Sequence, residues 1–240
     1  MRGMKAVVLA AGRGSRLAPL TDDRPKPLVS VGGRPLLLRT IQRVTQLGIP
    51  DRDVVIVTGY REDMVSALLR REGLGCRLVY NPRWFEHNSS HSLWMAREAL
   101  AGSGFLVAEG DVLFDEKVLP RLLEAPGPAT LAVDPRRPAG PDVMKATIAD
   151  DGRVTALSKR GTTRFLGIAR LDAEIGRLVL DDLERFEAEE ITHEHYDHSF
   201  HRLAVRGEGP FRAVDVGDCR VIEIDDPRDL ARAEAALAQA

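Results

Sequence analysis

One segment, KAVVLAAGRGSRLAPLTDDRPKP at residues 5–27, constrains the fold and chemistry of this chain more than any other. Its apolar first part predicts a buried strand over Lys5–Ala11, which runs directly into the glycine-rich turn Gly12–Arg16. Glycine lacks a Cβ atom, so such a turn can fold tightly and point backbone N–H groups at an anion. The two arginines of the turn and Lys26, which lies between two prolines, add positive charge nearby. Together these features predict a nucleoside triphosphate site.

Two familiar phosphate-binding motifs do not describe this turn. The dinucleotide pattern G-x-G-x-x-G fails because Leu17 stands where the third glycine belongs. The P-loop pattern fails because no G-K-[ST] follows the turn. Since glycine-rich turns after strands are common, the signal lies in the complete run L-A-A-G-x-G-x-R-L followed by P-K-P.

That complete run resembles the signature of the nucleotidyltransferases that make NDP-sugars and related activated alcohols. The resemblance implies an enzyme that joins an NTP to a phosphorylated acceptor and releases pyrophosphate. A second run, N-x-x-x-S-L-W-x-A at Asn88–Ala96, is similar to the branch that includes bacterial phosphocholine and phosphonate cytidylyltransferases, which favours CTP. The likeness is good over residues 4–112 and loose over residues 142–160 and 196–232.

Composition excludes several classes of partner. The 240 residues are 44% hydrophobic and 29% charged, as in an ordinary globular protein that buries a sizeable core. A formal net charge of −2 argues against nucleic acid or a membrane surface as a partner, so anion binding must be local. Two cysteines form no disulfide framework, and no apolar run is long enough for a membrane span. We expect no signal peptide, because the amino terminus leads directly into a predicted strand. We expect a cytoplasmic protein, with Met4 as an alternative start and a homodimer left open.

Strand and helix patterns alternate in the first half, which is typical of βαβ units and a parallel sheet. The expected strands are Lys5–Ala11, Asp53–Gly59, Cys76–Asn81, Gly104–Glu109 and Ala129–Asp134. Apolar residues recur every three or four positions in the predicted helices Pro35–Leu47, Glu62–Arg71, Ser90–Leu100 and Glu116–Leu123.

The second half has shorter strands separated by turns. Antiparallel strands are expected at Met144–Ile148, Val154–Ser158 and Arg164–Ala169, followed by a helix at Ala173–Glu187, a strand pair between Phe211 and Ile224, and a last helix that Asp226 caps before Pro227. The predicted fold class is α/β, with a mixed, mainly parallel sheet flanked by helices and a small antiparallel insert. We expect one domain over 1–240, with a nucleotide-binding half at 1–134 and an acceptor-binding and metal-completing half at 135–240, after the loop Pro135–Pro141.

In an open parallel sheet, ligands bind beyond the carboxyl ends of the strands. Asp111 follows an apolar strand and is a predicted ligand of Mg²⁺, which prefers one or two carboxylates plus phosphate oxygens and water. The second carboxylate is expected from Glu223 or Asp225, which share one face of the last strand. The ending E-I-D followed by P-x-D-L resembles the family's closing motif, and we favour Asp225.

The nucleotide site is expected at the same edge of the sheet. Arg16 and the turn amides would hold the β- and γ-phosphates, and Lys26 would stabilise charge at the α-phosphate, so Arg16 and Lys26 are the predicted catalytic residues. Asn88 also fits a helix cap, which is a purely structural alternative. The other predicted nucleotide-binding residues are Leu9, Ala10, Ala11, Gly12, Arg13, Gly14, Ser15, Gly59, Tyr60, Asn81, Asn88, Ser92 and Gly110.

The acceptor is less constrained by the sequence. Four residues are expected to contact it: Lys145 and Lys159 through its phosphate or phosphonate, and Tyr196 and Asp197 as a wall of its pocket. No tryptophan lies in the matching region, so a trimethylammonium group, which prefers aromatic faces, is not favoured. The spacing of His195, His198 and His201 leaves a zinc site open, although no cysteine lies near.

The sequence therefore predicts Mg²⁺-dependent transfer of a nucleotidyl group, with CTP favoured, to a small phosphorylated or phosphonylated alcohol. One alternative is a sugar- or cyclitol-1-phosphate nucleotidyltransferase that uses another NTP. The other is a catalytically silent, nucleotide-sensing regulatory subunit that keeps the fold. The presence of Lys26 argues against the sensor, which has no need of that lysine.

Overall fold

A central mixed sheet organises the protein, whose computed structural model describes residues 3–137, 140–141 and 143–239. The strands are β1 Lys5–Ala10, β2 Ser30–Val31, β3 Arg34–Pro35, β4 Val54–Thr58, β5 Arg77–Tyr80, β6 Phe105–Glu109, β7 Val112–Phe114, β8 Ala129–Asp134, β9 Lys145–Ile148, β10 Val154–Ser158, β11 Thr163–Leu171, β12 Phe211–Asp215 and β13 Val221–Glu223. The helices are α1 Leu36–Gln46, α2 Glu62–Arg71, α3 Ser89–Met95, α4 Arg97–Leu100, α5 Val118–Glu124, α6 Ala173–Ala188, α7 Asp197–Arg206 and α8 Pro227–Ala238. Met1 and Arg2, before the alternative start, and Pro138 and Ala139 of the expected 135–141 loop lie outside the described residues.

The middle of the sheet is parallel, as predicted. Strands β6, β1, β4 and β5 lie side by side in that order, and Val8 of β1 pairs with Ile56 of β4 and Ala108 of β6. Because these strands point the same way, their carboxyl ends meet at one edge of the sheet. The turns that follow β1, β4 and β6 are therefore neighbours.

The predicted antiparallel strands are continuous with this sheet. Strand β11 pairs antiparallel with β6, β8 and β9, and β9 pairs antiparallel with β10. The register of β11 shifts between Phe165 and Ala169, and Gly167 within this bulge has a left-handed φ of 68°. A Cβ atom on Gly167 would lie 3.2 Å from a carboxylate oxygen of Glu109, so the bulge lets the backbone approach that side chain closely.

Two sequence expectations are wrong. The strands expected to pair between Phe211 and Ile224 do not pair with each other: β12 runs parallel to β8, and β13 pairs antiparallel with β7. Register between distant strands depends on packing partners that a local pattern does not contain. The helix expected over Ser90–Leu100 is divided at Ala96 into α3 and α4. The cap of α8 is confirmed, since the Asp226 carboxylate accepts hydrogen bonds from Arg228 N at 2.7 Å and Asp229 N at 3.0 Å.

Alternate residues of β1 are buried on opposite faces of the sheet. Val8 packs in a cluster with side chains of α1, α2 and α5, whereas Val7 packs with side chains of α3, α6 and α7. Because both faces are covered, the strand is apolar along its whole length rather than alternating. Among the described helices, none has the length and apolar character to cross a membrane.

Candidate active site

A buried lysine lies between two carboxylates at the carboxyl edge of the sheet. Lys26 Nζ donates hydrogen bonds to Asp111 Oδ2 at 2.5 Å and to Asp225 Oδ1 at 2.7 Å, and only 11% of the lysine side chain is exposed. Arg16 Nη2 lies 2.8 Å from the same oxygen of Asp225. Burial alone lowers the pKa of Lys26, but the charges of Asp111 and Asp225 outweigh it and raise that pKa above its usual value. The ammonium group is therefore charged and fixed in direction.

Two further carboxylates, Glu109 and Glu223, lie near this lysine, and the sequence pattern assigned no role to Glu109. Burial, then the nearby charges of Asp111 and Glu223, raises the pKa of Glu109 well above its ordinary value. Burial, then Asp111 and Asp225, raises the pKa of Glu223 to about 7. The signal for Glu109 was present, because it is a charged residue that ends an otherwise apolar strand.

This acidic cluster fits a divalent cation. Asp111 Oδ1 is buried and has no hydrogen-bond partner within the described parts of the chain. Burial, and then the neighbouring carboxylates, raises the pKa of both Glu109 and Glu223, so a cation placed beside them would favour their ionised forms. Carboxylate oxygens are the donors that Mg²⁺ prefers. The residues present therefore suit Mg²⁺, and the assignment of Asp111 with either Asp225 or Glu223 as its ligands stays a prediction.

Gly12 and Gly14, in the turn after β1, differ in how closely other atoms approach them. Gly14 has a left-handed φ of 76°, and a Cβ atom there would lie 2.7 Å from Lys26 Cβ. A Cβ atom on Gly12 would meet nothing within 4 Å. Gly14 is thus required for the turn to pack against the lysine, whereas Gly12 borders open space that a ligand can enter.

We expect alanine substitutions at these glycines to have opposite effects. Gly14→Ala forces a left-handed alanine against Lys26, so the free energy of unfolding falls by about 2 kcal/mol and the melting temperature by roughly 4–8 °C. Gly12→Ala keeps the wild-type melting temperature but weakens nucleotide binding by roughly tenfold. Thermal denaturation and nucleotide titration of both variants test this pair. Equal melting temperatures for the two variants would contradict it.

The other predicted nucleotide-binding residues of the edge lie together. Gly110 N donates to Leu9 O at 2.8 Å, and Tyr60 N donates to Ala11 O at 3.0 Å. A Cβ atom on Gly59 would collide with Trp84 at 2.5 Å, and the Trp84 ring packs 5.3 Å from the Tyr60 ring. The Arg13 guanidinium lies 5.5 Å from the Tyr60 ring. The turns after β1, β4 and β6 thus form one continuous rim, and contact of this rim with nucleotide stays a prediction.

The predicted residues on the β5–α3 loop and α3 have partners within the protein. Asn81 Nδ2 donates to Ser92 Oγ at 3.1 Å, and both residues are buried. Asn88 occupies the N-cap position of α3 but makes no side-chain cap; its amide donates to His193 O at 2.7 Å. The cap given as a structural alternative for Asn88 is therefore wrong, because a tertiary partner takes its side chain. These contacts join the β5–α3 loop to the segment before α7.

The predicted acceptor residues divide into two groups. Lys145 Nζ donates to Lys159 O at 2.8 Å, and Lys159 lines a cavity of about 340 Å³ between β10 and α7. Tyr196 is fully buried, and its hydroxyl has no hydrogen-bond partner among the described residues. Burial and then the charge of Glu109 raise the pKa of Tyr196, so its ring lies near the acidic cluster. Tyr196 is thus buried near the acidic cluster, and its contact with an acceptor stays a prediction.

Burial raises the pKa of Asp197 to about 7. This pKa lies above the ordinary value of an aspartate in the unfolded chain, so folding favours the protonated form, and that stabilisation is lost as the pH rises through about 7. We expect Asp197→Asn, which cannot ionise, to gain stability relative to wild type between pH 4 and pH 7, by roughly 4 kcal/mol at most. Thermal denaturation of both proteins across that pH range without Mg²⁺ measures this difference in stability, and the exposed Asp150→Asn is the control. A difference that does not change with pH would contradict the prediction.

The three histidines that left a zinc site open do not converge on one point. His195 Nδ1 lies 3.1 Å from Ser89 Oγ, and His198 pairs with Glu194. His201 Nδ1 accepts a hydrogen bond from Leu157 N at 3.3 Å. His195 also precedes α7, so the helical spacing assumed from the sequence does not apply to it.

Arg164 is a second residue that the sequence analysis missed. It lies on β11 opposite Lys145 of β9, and its Nη2 atom is 3.4 Å from Glu223 Oε2. Its Nε atom is buried without a hydrogen-bond partner in the part of the chain that the structure describes. No motif marks this arginine, because its position follows from the pairing of β9 with β11.

A parallel sheet edge that carries a glycine-rich turn, a buried lysine and paired carboxylates defines the class of NTP transferase folds. The chain belongs to the MobA-like NTP transferase domain family, whose model matches residues 6–174. Two solved structures share its fold. The CTP:phosphocholine cytidylyltransferase of Streptococcus pneumoniae has a TM-score of 0.79 and 23% identity, over 98% of this chain and 99% of that one. The inositol-1-phosphate CTP transferase of T. maritima has a TM-score of 0.81 and 22% identity, over 99% and 96%.

Curated relatives support the branch predicted from the sequence. The CMP-5'-(3-aminopropyl)phosphonate synthase of Streptomyces rubellomurinus is 32% identical over 96% of this chain and 38% of its own length. The choline-phosphate cytidylyltransferase of Streptococcus pneumoniae is 39% identical over 44% of each chain. A bifunctional IPC transferase and DIPP synthase of Aquifex aeolicus is 29% identical over 97% of this chain and 51% of its own length. The chain thus spans about half or less of the curated relatives it matches.

Proposed function

We propose that this protein transfers a nucleotidyl group from an NTP, preferably CTP, to a small phosphorylated or phosphonylated alcohol and releases pyrophosphate. The observation that carries the proposal is the charged ammonium of Lys26, held between Asp111 and Asp225 beside the glycine-rich turn. A protein that only senses nucleotide needs a pocket but not a buried lysine aimed by two carboxylates. The names of the phosphonate and phosphocholine relatives support CTP and a non-sugar acceptor.

The reaction follows from the charges of the site. An oxygen of the acceptor phosphate or phosphonate attacks the α-phosphorus of the NTP, and the bond from that phosphorus to the bridging oxygen breaks as pyrophosphate leaves. The attacking oxygen is already anionic, so no general base is needed. Lys26 stabilises the charge that develops at the α-phosphate, while Arg16 and the turn amides bind the departing phosphates. Mg²⁺, when bound by Asp111 with Asp225 or Glu223, supplies further neutralisation of phosphate charge.

Arg164 would bind the acceptor's anionic group beside Glu223 of the acidic cluster. Its guanidinium is partly buried and only weakly paired with Glu223, so part of its hydrogen-bonding capacity is free for an anion. We expect Arg164→Gln to raise the KM for the acceptor by roughly 10- to 100-fold, since a hydrogen bond to a charged group contributes about 1.5–3 kcal/mol. The KM for the NTP stays within about twofold. Steady-state kinetics with the nearby exposed Arg160→Gln as control measure both, and an equal rise in the two KM values would contradict the assignment.

Pyrophosphate release with Mg²⁺ tests the proposed function, with the four NTPs crossed against a panel of acceptors. The panel holds phosphocholine, 2-aminoethylphosphonate, 2-hydroxyethylphosphonate, inositol-1-phosphate and glucose-1-phosphate. Turnover with CTP and a non-sugar acceptor is the expected result. Turnover confined to a sugar or cyclitol phosphate would instead support the alternative transferase. Nucleotide binding without turnover across the whole panel would count against transfer and favour a sensor.

A further inference from the structure

A second group of metal-ligating side chains lies outside the site described above. His87 is on the loop between β5 and α3, His91 is on α3, and Glu187 is near the end of α6. One ligand atom from each residue can be chosen so that all three lie within 4.8 Å of one another. His87 and His91 are buried, and the Glu187 side chain is 12% exposed. The three residues therefore enclose one small polar site between the loop and two helices.

This site contains an unusual number of polar atoms without partners. Both ring nitrogens of His87, Nε2 of His91 and Oε1 of Glu187 are buried without a hydrogen-bond partner in the residues that the structure describes. Within the group, His91 Nδ1 and Glu187 Oε2 are hydrogen-bonded at 2.7 Å. Each unsatisfied buried group is unfavourable for folding, so unpartnered ligand atoms on three residues that lie this close together indicate a missing common partner.

The donor set distinguishes between candidate partners. Two imidazoles and one carboxylate are the ligands of Zn²⁺ and similar divalent transition ions, whereas Mg²⁺ and Ca²⁺ prefer oxygen donors alone. Burial, and then the charge of Arg83, lowers the pKa of His87 and favours the neutral imidazole that binds metals, and Arg83 Nε is itself paired with Glu86 Oε2 at 3.1 Å. Shifts of roughly an ångström would bring the three ligand atoms to the spacing that tetrahedral zinc requires.

We propose that His87, His91 and Glu187 bind one divalent transition-metal ion, with Zn²⁺ as the best match and water at the fourth position. The ion connects the β5–α3 loop to α6. The same loop begins at buried Asn81 and ends at Asn88, whose backbone N–H donates to Thr192 O at 2.9 Å. Metal binding therefore stabilises the β5–α3 loop, which lies between the nucleotide rim and the segment before α7. This site is separate from the Mg²⁺ site and does not depend on the proposed transferase activity.

Zinc titration of the full chain tests the proposal. The assay uses competition with a chromogenic chelator in excess Mg²⁺, which blocks weak binding at the carboxylates around Lys26. We expect one equivalent of Zn²⁺ to bind to the wild type. At a free concentration 100 times the dissociation constant, zinc should raise the melting temperature by roughly 5–10 °C. Glu187→Gln, which keeps the side-chain shape, and His87→Gln should each weaken zinc binding by roughly 100-fold and abolish the melting shift.

Two control variants separate this site from other histidines. His193→Gln removes an exposed histidine, and the double variant His198→Gln/His201→Gln removes the pair on α7; both should bind zinc as the wild type does. Circular dichroism without zinc shows whether each variant is folded. If His87→Gln does not fold, Glu187→Gln still tests the site. No zinc binding to the wild type, or binding that survives Glu187→Gln and is lost in the α7 double variant, would overturn the proposal.

Discussion

Lys26→Ala should lower the rate of pyrophosphate release by roughly 100-fold or more while nucleotide binding persists. Lys26 is the cation aimed at the α-phosphate, and the loss of one such interaction removes about 3 kcal/mol of transition-state stabilisation. The variant also leaves Asp111 and Asp225 without their shared partner, so the free energy of unfolding should fall by about 3 kcal/mol. The rate is therefore measured well below the melting temperature of the variant, beside a direct nucleotide titration.

The exposed Lys117→Ala is the matched control, because it removes a lysine of the same size and charge away from the site. Its rate and melting temperature should match those of the wild type. A Lys26→Ala protein that turns over at the wild-type rate would show that this lysine is only structural. In that case the proposed stabilisation of the α-phosphate by Lys26 would be refuted.

Asp111→Asn should lower turnover by roughly 1,000-fold and abolish its response to Mg²⁺ concentration. The amide keeps the shape of the side chain but removes the charge that holds a divalent cation, which corresponds to about 4 kcal/mol in the barrier. The substitution also weakens the hydrogen bond from Lys26 to Asp111, which is 2.5 Å long in the wild type. The lysine nevertheless keeps a charged partner in the variant, because it also donates to Asp225. The measurement is the rate of pyrophosphate release against Mg²⁺ concentration at saturating substrates.

Three further variants provide a control for Asp111→Asn and identify the second metal ligand. Asp150→Asn removes an exposed aspartate in a turn and should change neither the rate nor its Mg²⁺ dependence. Asp225→Asn and Glu223→Gln decide which of the two completes the metal site, and only that one should reproduce the loss of Mg²⁺ response. An Asp111→Asn enzyme with an unchanged Mg²⁺ dependence would refute the role of Asp111 as a metal ligand.

Much of the first half of the fold is encoded locally. The apolar run before Gly12 and the alternation of strand and helix periods predict β1, β4, β5 and β6 to within one residue at each end. Helix α2 and strands β8 and β10 are predicted with their observed bounds. The cap at Asp226 follows from capping chemistry that acts within one turn of helix. Such features depend on residues a few positions apart, which a sequence pattern contains.

The errors concern contacts between distant segments. The sequence placed β12 beside β13, but β13 pairs with β7, and this pairing brings Asp225 to Lys26 and Asp111. It left a helix cap at Asn88 open as an alternative, but the backbone of His193 takes the Asn88 amide. Glu109 and Arg164 carry no motif, and their relation to the site depends on how β6 and β11 pack.

The sequence by itself determined which functional groups the chain carries and their order: the phosphate-binding turn, the lysine between prolines and the two acidic strand ends. Tertiary structure decided which of these groups touch, since Lys26 contacts residues 85 and 199 positions away and His91 contacts a residue 96 positions away. The physical reason is that turn and helix preferences act over a few residues, whereas contacts between distant charges depend on strand register and core packing. The buried acidic cluster and the site at His87, His91 and Glu187 therefore emerge only from the folded chain.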